Sequence, residues 1–163
     1  MIFSGERGLI RRFLIAVLIG PLLGAPTLSP AHAMSSDLPS PNQPKELIEA
    51  RQLIVDKQFA AAVQPLTSLV KDQPNEPEFW NLLGYSQRKA GDFDAALQSY
   101  SKALDLDPRH RGALQYLGML YLETGQMEQA KEMLERLDDS CFFGCKEFSA
   151  LEAAIEAGNP GNY

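Results

Sequence analysis

Cys141 and Cys145, five residues end to end in Ser140-Cys141-Phe142-Phe143-Gly144-Cys145, are the side chains best suited to covalent or metal chemistry. As thiolates they could attack a disulfide, hold a soft metal ion or bond to each other. A dithiol oxidoreductase uses CxxC at a helix N-terminus in a fold of alternating strands and helices, and haem attachment uses CxxCH; neither spacing occurs here. Structural zinc takes four ligands, and no histidine stands near the pair. A structural fastener, a redox-active pair and linear Cu(I) coordination are the three readings left.

Other chemistry finds little support. His110 lies between Arg109 and Arg111 and reads as a surface side chain rather than a general base. Glu128, Glu132 and Glu135 follow helical spacing, as a solvated face does. No glycine-rich phosphate loop is present. The expectation is therefore no catalytic residue, no cofactor and no resident metal.

The compartment bears on the thiols. Arg7, Arg11 and Arg12 precede an apolar run from Phe13 to Leu23, and Ala31-His32-Ala33 offers small residues at the −3 and −1 positions. This is the pattern of a secretory signal over residues 1–33, cut after Ala33. The run contains Pro21 and falls short of the about 20 residues that cross a bilayer, so membrane contact is expected only through an uncleaved signal. Arg11-Arg12 is followed directly by Phe13 with no preceding Ser or Thr, a poor match to a twin-arginine signal, and no cysteine near Ala33 could be lipidated. A periplasmic or secreted protein results, in which a close cysteine pair is expected to oxidise. The signal carries three basic residues and one acidic, so its removal takes the net charge from −6 to −8. That field repels nucleic acid and anionic lipid.

The elements that must position these residues follow from a period. Residues 34–42 form a Pro/Ser/Asn-rich linker expected to be disordered or extended. Beyond it Pro74 and Pro108, Gly84 and Gly118, the series Ala62, Ala96, Ala130 and the series Phe59, Phe93, Met127 each recur at a step of 34. Three units result, 43–76, 77–110 and 111–144, each with two apolar helical stretches around a break at Lys57, Ala90-Gly91-Asp92 or Thr124-Gly125-Gln126. Ala50, Gly84 and Gly118 on the first helix and Ala62, Ala96 and Ala130 on the second would let the two axes approach. Leu83, Phe93, Tyr100, Leu117, Tyr121 and Leu134 would fill the space beside them.

With Trp80, Leu83, Gly84, Gly91, Phe93, Ala96, Tyr100, Ala103 and Pro108 at these positions, the chain resembles the tetratricopeptide repeat family from residue 43 to about 157. Gln87 departs from the usual Tyr, which Tyr121 restores in the third unit, where Leu114 replaces Trp. Glu46 and Glu49 stand at two positions that normally face a preceding hairpin, as suits a first repeat. The cysteine pair occupies the junction where the earlier units carry Pro74 and Pro108, and a bond across it would restrict the same turn. Phe148, Leu151 and Ile155 then recur as on a further first helix, while Glu152 replaces the small residue, so 145–157 reads as a solitary cap before a tail at 158–163.

The resemblance implies an all-α, right-handed superhelix of three helix-turn-helix hairpins plus a C-terminal capping helix. It also implies a concave groove lined by Leu47, Arg51 and Ile54, by Asn81, Tyr85 and Arg88, and by Gln115, Met119 and Leu122. Tyr85, Arg88 and Met119 are the preferred contacts for a protein or peptide segment. Leu47 and Arg51 replace the Lys and Asn with which some members grip chaperone tails, so that ligand is not expected. Trp80, Phe93 and Tyr100 are expected in the core, and an incompletely covered end leaves room for a homo-oligomer.

Overall fold

The computed structural model describes residues 43–141 and 144–158. The expected signal peptide, the linker at 34–42, Phe142, Phe143 and tail residues 159–163 lie outside them. Seven helices follow one another: α1 (Lys45–Val55), α2 (Phe59–Asp72), α3 (Pro77–Lys89), α4 (Phe93–Leu106), α5 (Arg111–Glu123), α6 (Met127–Ser140) and α7 (Lys146–Ala157). Among the described residues there is no strand, and no helix is long and apolar enough to cross a membrane.

Each hairpin turns through one residue in the left-handed region: Lys57 at φ 58°, Gly91 at 88° and Gly125 at 76°, all 34 apart. The same closing bond recurs in each, from the Gln58, Asp92 and Gln126 amides to the Leu53, Gln87 and Tyr121 carbonyls at 2.8, 2.9 and 2.7 Å. Such bonds satisfy carbonyls that a helix C-terminus leaves without partners. Helix starts are also specified locally. Pro77 opens α3, where its missing N–H costs nothing, and Asp92 caps α4 by accepting the Ala95 amide at 3.2 Å.

Packing then stacks α1 on α2, α3 on α4 and α5 on α6, with α2 against α3 and α4 against α5. These are the paired helices expected from the period, stacked as the family resemblance implies. Ala50, Ala62, Ala96 and Ala130 are fully buried. A β-carbon on Gly84 would lie 2.7 Å from the Tyr100 ring, so glycine there lets α3 seat on α4. Gly118 differs: its closest neighbour is not on α6 but Leu151 of α7, 2.5 Å from where a β-carbon would sit. The capping helix packs on both α5 and α6, and its Leu151 and Ala154 are fully buried.

Two buried clusters result, one around Leu47, Leu66, Leu69 and Leu83, the other around Tyr100, Leu114, Leu117, Leu137 and Leu151. Trp80 packs against both while its indole N–H donates to the Pro74 carbonyl at 2.8 Å. Tyr100 is in the core as expected, but Phe93 is not: as the first residue of α4 it sits at the hairpin edge, 37% exposed.

Candidate partner-binding groove

On α3, successive turns place Asn81, Tyr85 and Arg88 on one face, and α5 brings Tyr116 and Glu123 against them. The Arg88 side chain is buried and its Nη1 donates to Glu123 Oε1. Its guanidinium also lies 5.8 Å from the centroids of both the Tyr85 and Tyr116 rings. Those rings are 4.9 Å apart, Phe59 of α2 meets Tyr85 edge-on at 5.8 Å, and Tyr100 approaches Tyr116 at 6.4 Å. A desolvated cation between two ring faces is held by the ring quadrupoles as well as by its carboxylate. Burial pushes the Tyr100 and Tyr116 hydroxyls up from their ordinary values, so both stay neutral and able to donate.

Beside this cluster an open cleft of about 490 Å³ runs past Glu78, Asn81, His110, Gln115, Tyr116 and Lys146. Asn81 donates to Glu78 at 3.1 Å, while its buried Oδ1 has no partner. His110 is not the free surface side chain expected from its neighbours. Its Nδ1 accepts the Ala113 amide at 3.1 Å, capping α5, and its Nε2 lies 3.3 Å from Glu78. The Glu78 contact raises the His110 pKa against the opposing effect of burial. For Glu78, burial pushes the carboxyl up, but His110 and Asn81 outweigh it and hold the pKa below its ordinary value.

The remaining expected groove residues fall in different settings. Arg51 is exposed, and Ile54 and Gln115 are half-buried. Leu47, Leu122 and Met119 are 5%, 7% and 1% exposed and belong to the two cores. Sequence reasoning passed over Tyr116, Glu123 and Glu78. Only their pairing distances could have suggested them: Glu123 follows Arg88 by 35, one residue beyond the period.

Cys141 and Cys145 end α6 and precede α7 with Cα atoms 5.7 Å apart and sulfurs within bonding distance. Among the described residues no three His, Cys, Asp or Glu side chains gather as metal ligands would.

Two tetratricopeptide repeat family models match residues 49–111 and 87–155. Cellulose synthase 1 operon protein C of Komagataeibacter xylinus is 33% identical over 87 residues, covering 53% of this chain and 7% of that protein. Cellulose synthase operon protein C of Xanthomonas axonopodis pv. citri is 42% identical over 92 residues, 56% of this chain and 5% of that protein. The chain thus spans less than a tenth of the length of either relative. Among solved structures, the Yersinia enterocolitica type III secretion translocator chaperone SycD superposes with a TM-score of 0.63 at 18% identity, over 69% of this chain and 80% of SycD. PcrH in complex with the chaperone binding region of PopD gives 0.62 at 16% identity, over 69% and 87%. Likeness at that identity concerns the fold.

Proposed function

This chain belongs to the tetratricopeptide repeat family, and we propose from that premise that it is a non-enzymatic adaptor that captures a segment of a partner protein on the face shared by α1, α3 and α5. The observation that carries this reading is the Tyr85–Arg88–Tyr116 cluster, whose Tyr116 lines the cleft together with Glu78, His110 and Lys146. Tyrosine rings held rigidly by the buried Arg88, beside groups of both charge signs, suit a peptide with mixed side chains. The solved complexes of SycD with a peptide of YopD, and of PcrH with a region of PopD, support a protein segment as the partner of this fold. An acidic chain of net charge −6 is poorly suited to nucleic acid. The non-enzymatic reading draws its support from the repeat family itself, and His110 is engaged at both ring nitrogens, by Ala113 and Glu78.

The proposal places the protein in the bacterial envelope, periplasmic or secreted after cleavage at Ala33, on the strength of its basic, apolar and Ala-His-Ala series. In that compartment Cys141 and Cys145 form a structural disulfide, which their proximity supports. The rival is a thiol-redox or Cu(I)-handling protein, which rapid exchange with a dithiol or stoichiometric copper uptake would favour.

The groove is tested by immobilising the protein, capturing partners from envelope extract and identifying them by mass spectrometry. Tyr85→Ala with Tyr116→Ala should reduce the captured partner about tenfold or more while circular dichroism is unchanged. Arg88 is kept, because its loss would leave Glu123 without its cation. Equal capture by the double variant would refute the groove.

A further inference from the structure

Gln87 stands where the third repeat has Tyr121, and Ser99 where it has Met133. In the second repeat these two small polar side chains hold each other, the Ser99 hydroxyl donating to Gln87 Oε1 at 2.7 Å. Both line a cleft of about 500 Å³ among α2, α3 and α4. Its apolar lining is Val70, Trp80, Leu83 and Ala95, and Lys71 of α2 and Lys102 of α4 line it from the flanking helices. On α3 the row Trp80, Leu83, Gln87 lies on a different face from the groove row Asn81, Tyr85, Arg88.

Charge sets this cleft apart. None of its lining residues is acidic, although the chain carries a net charge of −6. Lys71 and Lys102 are exposed and have no ion-pair partner among the described residues. At the next repeat interface the same two positions are Asp105 and Arg136, and the Arg136 guanidinium is already committed to the Pro108 carbonyl at 3.2 Å.

We propose that this cleft is a second docking site, separate from the groove, for a partner-protein segment presenting one apolar side chain flanked by carboxylates. The apolar group would cover Trp80 and Leu83, and the carboxylates would meet the two ammonium groups. Because those lysines stay in water, each adds only a modest increment to affinity, and the two together set selectivity and encounter rate.

Trp80 is the sole tryptophan of the chain and lines the cleft, so its fluorescence reads occupancy directly. The probe is an acetylated, amidated peptide Gly-Ser-Asp-Leu-Asp-Ser-Gly, titrated into the purified protein. Saturable Trp80 quenching is expected, weakened about tenfold by Lys71→Glu with Lys102→Glu and by replacing both peptide aspartates with asparagine. Gln87→Tyr, which restores the residue of the third repeat, should abolish saturation with unchanged helical content. The Tyr85→Ala, Tyr116→Ala groove variant should bind the probe normally, which separates this site from the groove. The site is disproved by non-saturable quenching in the native protein, by equal binding of the asparagine peptide, or by retained affinity in both the lysine double variant and Gln87→Tyr.

Discussion

At the amino-terminal end α1 carries Glu46 and Glu49 where the next two repeats place Trp80 and Leu83, then Leu114 and Leu117; at the carboxyl end α7 lays Leu151 and Ala154 over α5 and α6. The first hairpin also leaves Ile48 41% and Val55 72% exposed, while the third hairpin's Leu114 and Leu117 are buried. A stack of repeats must finish each end, because every unit offers an apolar side to a neighbour that the last one lacks. Here one end changes the side chains and the other adds a helix. Substitution at the surface needs no new contact, so the first hairpin depends little on its outer residues, whereas α7 is held by a few side chains that have no substitute.

The contrast can be broken first at Leu151. Leu151→Ala removes the side chain seated on Gly118 and should cost about 3 kcal/mol in urea denaturation, against about 0.5 kcal/mol or less for Val55→Ala. A comparable loss at both positions would mean that the two ends are not finished differently.

The second probe is the link into α7. In the proposed disulfide, closing a ring as small as Cys141 to Cys145 would stabilise the fold by about 2 kcal/mol through lost unfolded-state entropy in the chain-entropy treatment. Replacing both cysteines by serine should lower the melting temperature accordingly, and dithiothreitol should then have no further effect. No change on substitution would show that the α6–α7 junction holds without the bond.

At the first hairpin the test runs the other way. Lys57 adopts the left-handed conformation that glycine supplies at 91 and 125, so Lys57→Gly should stabilise the protein by about 1 kcal/mol. Gly91→Ala and Gly125→Ala should destabilise it by a similar amount.

The smallest effect concerns the middle of the stack, where Glu78 of α3 meets His110 at the start of α5. The His110 pKa is raised, so its contribution is complete below its ordinary 6.5 and is lost as pH rises through the folded value. The Glu78 pKa is lowered, so its contribution is present above its ordinary 4.5 and is lost as pH falls through the folded value. The pair should therefore stabilise most between those ordinary values. A Glu78→Gln variant should differ from the native protein most in that window and least under alkaline conditions, as thermal melts across pH would reveal. Protonation of His110 would also take the Nδ1 lone pair from the Ala113 amide, which keeps the effect small.

How far the residues themselves disclosed this arrangement depends on the range of the interaction. Gly91 and Gly125 with their breaks, Pro74 and Pro108, and the alanine series act within one hairpin or its neighbour at a constant interval, so the helices could be read from spacing alone. Phe93 shows the limit: its repeat position suggested core, but at the first turn of α4 it projects to the hairpin edge. Gly118 shows another, since its period predicts a tight approach yet leaves open that Leu151, rather than α6, fills it. The Arg88–Glu123 pair joins the second and third units and the Glu78–His110 pair joins the two ends of the second, both at separations that are not multiples of the period. Nothing local marks them.

What this chain's sequence determined by itself is the succession of helices and the sites of close approach, because turn chemistry and side-chain size act over a few residues and repeat every 34. Which side chains face one another was decided only by the tertiary structure. The Tyr85–Arg88–Tyr116 cluster arises from the way successive hairpins stack, which sets α5 against α3. That stacking is a collective property of the packed interfaces, carried by no single repeat.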